Sequence, residues 1–438
     1  MEKIRAAFHT LGCKTNHYET DAIRKQFSQA GFCEVPFDSY AEVYLVNTCT
    51  VTGEAGRKSR QMLRRARKIN PAAIVVAMGC HSELEGRQDA VDIVIGTQGK
   101  SQALDRVCAE LDLRGMPVPG NAIEHQATTA SACQDDYEEL GLVSRQSETR
   151  AYVKIEDGCD NYCSYCTIPY ARGHVRSRPA GTVLAETAAL AAAGYREIVL
   201  TGIHICSYGA DHGFPSHAVM DLALEMAQVD GIDRIRLGSL EPQSVTPQFI
   251  NLAVKNPKLL PHFHLSLQSG CDSVLRRMNR HYSAEDYRCV VNQLRQAYGK
   301  PGLTTDVIVG FPGETEDEHR TSYEFCREIA FSRLHVFRYS RREGTRAADM
   351  PNQINPQTTA RRSQDMLSLA DQMALTYHLS QVGRPQEVLL EKQREDGCFE
   401  GYSPEYVPIR LAARPDLQEG QIITATGIEA TREFLFCC

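Results

Sequence analysis

Between Glu156 and Gly173, in the stretch EDGCDNYCSYCTIPYARG, three cysteines form a C-x3-C-x2-C pattern: Cys159, Cys163 and Cys166. Three thiolates on one short loop can hold three corners of a [4Fe–4S] cluster and leave one iron without a protein ligand, open to a substrate or cofactor. Zinc is the competing reading, but structural zinc closes with four ligands, and the nearby His174 lies eight residues beyond Cys166. Tyr165 adds an aromatic face beside the last cysteine. A second set is spread along the chain. Cys13, Cys49 and Cys80 each follow a β-rich run, in IRAAFHTLGC, VYLVNTC and AIVVAMGC. In a parallel sheet the carboxyl ends of the strands form the ligand-binding edge, so these three cysteines are expected to converge.

The elements that must position them follow from length and periodicity. A chain of 438 residues exceeds one hydrophobic core, and about 150 residues per domain gives about three domains. Residues 1–113 alternate short β-rich runs with helical periodicity, which predicts an α/β domain with a flavodoxin-like parallel sheet. Residues 114–150, with Pro117, Pro119, Gly120 and the acidic DDYEEL, read as a linker. From 151 to 383 the alternation resumes for six rounds: AYVKIEDG, EIVLTG, RIRLGSL, HFHLSLQSG, TTDVIVGFPG and RLHVFRYS. Six evenly spaced β/α units predict a partial (β/α)6 barrel with active residues at its strand ends. Residues 384–438, punctuated by Gly and Pro, read as a small β-barrel.

Composition narrows the function. The 42% hydrophobic and 24% charged fractions are those of a globular protein, and no apolar run approaches the ~20 residues of a membrane span. The start MEKIRAAFHTLGC has no signal-peptide apolar region, so a cytoplasmic location is expected. In a reducing compartment sixteen cysteines point to metal binding or catalysis rather than disulfides. Cys33, Cys108, Cys133, Cys289, Cys326 and Cys398 read as small core residues; Cys437 and Cys438 fall on an end expected to be mobile. A net charge of −7 argues against a generally basic coat, so any RNA site must be a patch. Candidate phosphate contacts are Arg172, Arg176 and Arg178 after the cysteine loop, and Arg341, Arg342 and Arg346 in SRREGTR. RRARK, Arg64–Lys68, reads as solvated helix surface, while Tyr402 and Tyr406 are candidates for base stacking.

GCDNYCSYC resembles the signature of the radical S-adenosylmethionine (SAM) enzymes, in which SAM chelates the open iron. With TLGCKTNHYETD, NTCTVT, AMGC, CTIPYARGHVRSR, LTGIHICSYG, LGSLEP, HLSLQSGCDSVLRRMNR and DVIVGFPGET, the chain resembles the radical SAM methylthiotransferases over nearly its whole length. The resemblance implies that Cys159, Cys163 and Cys166 hold a SAM-cleaving [4Fe–4S] cluster. Cys13, Cys49 and Cys80 would hold a second one that binds the sulfur to be transferred. One SAM would methylate that sulfur; a second would yield the 5′-deoxyadenosyl radical that removes hydrogen from an unactivated carbon. Such a C–H is too weakly acidic for general-base catalysis, so the cofactors must supply the hard step. Gly202, Ser239, Glu241, Ser266, Gln268, Gly310 and Gly313 lie at strand ends where the barrel would surround SAM. The tail resembles the family's RNA-binding TRAM barrel.

Within the family, Lys14 after the first cysteine is similar to the branch acting on N6-threonylcarbamoyladenosine at position 37 of tRNA, which makes the tRNA anticodon stem-loop the expected partner. Thr15 and His17 depart from that branch, which often carries Val and Gln there, and His174 stands where Arg is frequent. Alternatives are methylthiolation of N6-isopentenyladenosine or of a ribosomal-protein aspartate, and, outside enzymes, an iron–sulfur RNA-binding or sulfur-carrier protein. An electron donor such as flavodoxin or ferredoxin and a monomeric state complete the expectation.

Overall fold

The computed structural model describes residues 3–86, 89–120, 136–143, 148–412 and 414–438. The first sheet contains β1 (Arg5–Thr10), β2 (Cys33–Glu34), β3 (Val43–Thr48), β4 (Ile74–Gly79) and β5 (Ile93–Ile95), all parallel in the order β2-β1-β3-β4-β5. This is the doubly wound flavodoxin-like order. VYLVNT and IVVAMG are buried along their whole length, as expected of central parallel strands covered on both faces. Helices α1 (Lys14–Gln29), α2 (Gly53–Ile69) and α3 (Cys80–Glu85) leave the carboxyl ends of β1, β3 and β4, so each cysteine sits at a strand-to-helix corner.

The second part is a wall of six parallel strand positions. β6 (Ala151–Lys154) pairs with β9 (Glu197–Thr201), and β9 with β10 (Arg234–Arg236). β11 (Ser239–Leu240), β12 (His262–Leu265), β13 (Gly302–Val309) and β14 (Arg333–Arg338) continue it. The run RIRLGSL is one strand that changes partner at Gly238: a Cβ there would lie 2.7 Å from the Leu200 carbonyl, so only glycine lets the wall turn. A short antiparallel pair, β7 (Glu156–Asp157) with β8 (Arg176–Ser177), clasps the two ends of the cysteine loop. One core of aliphatic and aromatic side chains, including Val153, Leu200, Ile235, Phe263 and Val307, fills the space behind the strands.

The tail is a closed barrel of β15 (Pro385–Gln393), β16 (Phe399–Tyr402), β17 (Pro408–Leu411), β18 (Ile422–Ala430) and β19 (Leu435–Cys437) around Val388, Leu390, Ile409 and Leu435. Two buried arginines of β10 fasten it to the six-stranded wall. Arg234 Nη2 donates to the Glu387 carbonyl at 2.9 Å and Arg236 Nη1 to the Pro404 carbonyl at 3.0 Å. Residues 136–143 cross between the first two parts: the Val143 N–H donates to Glu186 at 2.7 Å, and Glu138 accepts from Ser101 at 2.8 Å.

Several cysteine expectations need correction. Cys108 and Cys326 are buried, but Cys33 and Cys289 are exposed, and Cys437 is buried in β19 rather than mobile. Cys133 lies outside the described residues. Among the described residues no helix is long and apolar enough to cross a membrane.

Candidate active site and metal centres

Sheet order brings the first cysteine set together. β1, β3 and β4 are adjacent, and β1/β3 is the switch point of this topology, where ligands bind outside the strand ends. Cys13 is exposed, while Cys49 and Cys80 are buried. The approach is close: Gly12 has φ +102°, and a Cβ there would lie 2.7 Å from Cys49 Sγ. Burial pushes the free Cys49 thiol up to about 11 and raises Cys80 as well, so a metal ion binding here must displace protons.

A buried ion network stands behind these thiols. Glu19, fully buried on α1, forms an ion pair with Lys100 at 2.7 Å and accepts from Lys154 at 2.8 Å and Arg172 at 2.9 Å. Asp157 accepts from Arg172 at 2.7 Å and Lys154 at 2.8 Å, with Arg176 at 3.8 Å. Four cations thus face two carboxylates. Arg172 Nε donates to Cys80 Sγ at 3.2 Å and its Nη2 to Asn16 Oδ1 at 2.9 Å. Burial alone would push Glu19 up, but Arg172, Lys100 and Lys154 together hold its carboxyl well below the usual range.

The second set lies on the loop that β7 and β8 clasp. Its shape is locked by the Cys159 N–H to the Gly173 carbonyl at 3.1 Å, Ser164 N–H to Met278 at 3.0 Å, and Ala347 N–H to Ser164 at 2.7 Å. Arg280 Nη1 donates to Cys163 Sγ at 3.1 Å while its Nη2 pairs with Glu241 at 2.7 Å. Burial pushes the Cys159 and Cys166 thiols up to about 12. The Glu156 carboxyl is also raised by burial, to about 8; its Oε1 accepts from the His204 N–H and its Oε2 has no partner among the described residues. Arg172, six residues beyond Cys166, comes from the far end of this loop and reaches Cys80 of the other set. A buried guanidinium carried by the second cysteine loop therefore touches the first cysteine set.

A cavity of about 680 Å3 joins the parts. Cys13, Lys14 and Thr15 line it from the first sheet, Gly202, Ser239, His262, His264 and Asp306 from the strand wall, and Tyr402 and Tyr406 from the tail.

Residues 5–96 match the uncharacterized protein family UPF0004 and residues 153–326 the radical SAM superfamily. The Threonylcarbamoyladenosine tRNA methylthiotransferase MtaB of Bacillus subtilis (strain 168) is 38% identical over 97% of this chain and 94% of its own length. The protein of the same name from Thermotoga maritima is 35% identical over 93% and 91%. The chain belongs to the radical SAM methylthiotransferases. A tRNA-2-methylthio-N(6)-dimethylallyladenosine synthase from Pelotomaculum thermopropionicum, 31% identical over 91% of this chain and 88% of its own, is similar too. In fold, the chain resembles the radical SAM methyltransferase TsrM from Kitasatospora setae, solved with cobalamin and a [4Fe–4S] cluster, with a TM-score of 0.54 at 14% identity over 79% of this chain and 74% of that one.

The cofactors of radical SAM methylthiotransferases are SAM and [4Fe–4S] clusters, and the donor sets fit them. Cys13, Cys49 and Cys80 would hold one cluster and Cys159, Cys163 and Cys166 the other. With the thiols neutral, the four cations around Cys80 outnumber the two carboxylates, and a cluster held by three thiolates, anionic overall, would offset part of that excess. Among the described residues no three His, Cys, Asp or Glu side chains close on a single metal ion, a different demand from that of a cube whose irons take one thiolate each.

Other expected methylthiotransferase site residues divide. Gly202 and Ser239 line the cavity; at Gly202 a Cβ would lie 2.2 Å from Glu156 Oε1. Glu241 faces the cysteine loop through Asn161 at 3.0 Å and Arg280. The Ser266 carbonyl accepts from Tyr282, and Gln268 adopts φ +65° beside β13. Tyr165 packs edge-on to Phe311. Gly310 and Gly313 do not line the cavity; Gly310 is small because Thr359 Oγ1 would lie 2.5 Å from a Cβ.

Arg172, Arg176 and Arg178 are corrected from RNA contacts to interior residues. They are 1%, 5% and 1% exposed, and Arg178 pairs with Glu139 and Glu186. A desolvated guanidinium persists only when paired, and each has acids on neighbouring elements. Arg342 donates to Thr50 at 2.5 Å beside Cys49; Arg341 is exposed. Tyr402 and Tyr406 stack on one another with centroids 4.5 Å apart, Arg150 lies over both, and His262 stacks on Tyr406, so their faces are occupied from within. Glu19, Lys100, Lys154, Glu156 and Arg280 were missed; the only sequence signal is a charge inside a helix or strand that must be buried.

Gly12→Ala is a sharp local probe. The left-handed φ and the Cys49 contact together cost about 1–3 kcal/mol, so iron bound per chain is expected to fall towards that of the Cys159–Cys166 loop alone. Iron and sulfide analysis after anaerobic reconstitution checks this.

Proposed function

We propose that this radical SAM methylthiotransferase places a methylthio group on C2 of N6-threonylcarbamoyladenosine at position 37 of tRNA. The observation that carries the reading is similarity along nearly the full length to relatives named for this reaction, with both cysteine sets in place. When bound, the clusters and SAM supply the radical and the sulfur. The chain's own part is to fasten the second cysteine loop to the first cysteine set, through Arg172 and the Glu19–Asp157 network, and to keep bulk water away from the buried thiols.

Gly202 and Ser239, at the strand ends, are the wall positions against which SAM is proposed to lie, and Glu241, through Arg280, orients the Cys163 loop. The anticodon stem-loop is proposed to approach the exposed Arg341, with the tail barrel as a further RNA surface. A flavodoxin or ferredoxin as reductant, a cytoplasmic location and a monomeric state belong to the same proposal. Nucleoside mass spectrometry of tRNA from cells with and without the gene tests it. The 2-methylthio derivative of N6-threonylcarbamoyladenosine is expected to vanish with the gene; loss of the 2-methylthio derivative of N6-isopentenyladenosine instead would move the chain to the other tRNA branch.

A further inference from the structure

We propose that Lys14 is a specificity-determining cation that binds the carboxylate of the threonyl group on the modified adenosine; this rests on the substrate reading above. Lys14 follows Cys13 directly and lines the same cavity of about 680 Å3. Unlike the enclosed Lys100 and Lys154, which both pair with Glu19, Lys14 has no carboxylate within ion-pair distance among the described residues. The Tyr152 ring lies 6.0 Å from its ammonium, and its charge also acts on the Tyr406 phenol. The only acidic residue lining the cavity among the described residues, Asp306, is engaged by His264 at 3.4 Å. Two cations, Lys14 and Arg333, thus line the cavity, and of the two Lys14 stands beside the first cysteine set.

Two further groups mark a polar ligand. Among the described residues Thr15 Oγ1 and His262 Nδ1 have no hydrogen-bond partner, although the residues are only 1% and 5% exposed, and both line this cavity. Buried polar atoms are nearly always paired, so unpaired ones that border a cavity await a partner. Lys14 and Thr15 also open the first turn of α1, which has no side-chain cap and no acidic residue, so its positive end is free to favour an anion. A threonylcarbamoyl group presents a carboxylate, a hydroxyl and a urea. An isopentenyl chain presents none of these and would leave all three protein groups unsatisfied. SAM also carries a carboxylate, so the experiment must separate the two sources.

The test uses the reconstituted holoenzyme and three synthetic anticodon stem-loops, bearing N6-threonylcarbamoyladenosine, its carboxamide, or N6-isopentenyladenosine. Affinity is read by fluorescence anisotropy, thiolation by kcat/KM, and the SAM dependence of cleavage in parallel. Unmodified enzyme is expected to prefer the acid over the carboxamide by about thirtyfold, the range of one charge-assisted hydrogen bond. In Lys14→Gln that preference should fall to about one at unchanged iron content, while Lys14→Arg keeps most of it; Thr15→Val should lower affinity for acid and carboxamide alike. Four results overturn the assignment: no acid preference in the unmodified enzyme, equal losses on acid and carboxamide in Lys14→Gln, a raised SAM requirement in that variant, or a collapse caused by Arg333→Gln instead. Methylthiolation of the isopentenyl stem-loop alone removes the substrate reading, and the assignment with it.

Discussion

Cys49→Ala enzyme, reconstituted anaerobically, is expected to keep SAM cleavage to 5′-deoxyadenosine and to lose methylthiolation by more than about 100-fold, a ligand loss exceeding that of an outer-shell partner. Its iron content should fall from about eight to about four per chain. Cys163→Ala should lose both reactions. The asymmetry follows from placement. Cys49 stands at the end of β3 with Cys13 and Cys80, while Cys163 stands on the loop clasped by β7 and β8 with Cys159 and Cys166. Thiolation by Cys49→Ala at the normal rate would show that the β1/β3/β4 edge does not supply the sulfur. Quantifying 5′-deoxyadenosine and modified nucleoside in one reaction separates the outcomes.

Arg172→Met is expected to be the most destabilising single change in the interior, by about 3–5 kcal/mol, lowering the unfolding midpoint by about 10 °C. It removes a fully buried cation that touches Glu19, Asp157, Asn16 and Cys80, and so leaves two carboxylates with fewer partners. Arg172→Lys keeps the charge but not the planar fork, and should retain the fold while lowering occupancy of the Cys13–Cys49–Cys80 cluster about 10–100-fold. The pH dependence has a definite sign. Glu19 is held well below its ordinary value of 4.5, so its contribution is fully present above that value and is lost as pH falls through the lower folded value. The gap between wild type and Arg172→Met should therefore be widest near neutrality and narrow in acid. Calorimetry from about pH 2 to about pH 7 measures it; a gap that widens in acid would show that the network does not act through Glu19.

Much of this architecture was legible in the chain itself. β-rich runs ending in cysteine placed Cys13, Cys49 and Cys80 on one sheet edge, because a parallel sheet puts every carboxyl end on the same side. C-x3-C-x2-C needed no fold at all, since short-range spacing alone holds three thiols on one loop. The arginines show the opposite case. RGHVRSR reads as a basic surface, and whether a guanidinium meets solvent or an acid depends on residues as distant as Glu19 and Glu186.

Local chemistry and periodicity, then, were decided by sequence: which residues could bind iron, which segments were strands, and where six β/α rounds began and ended. Tertiary structure alone decided that Arg172, on the second cysteine loop, touches Cys80 of the first set, that Tyr402 and Tyr406 stack on each other, and that Lys14 enters a cavity whose acid, Asp306, is engaged by His264. The physical reason is range. A strand or a thiol triad is specified within a few residues, whereas the sign and burial of a charge are set by whatever the fold packs against it.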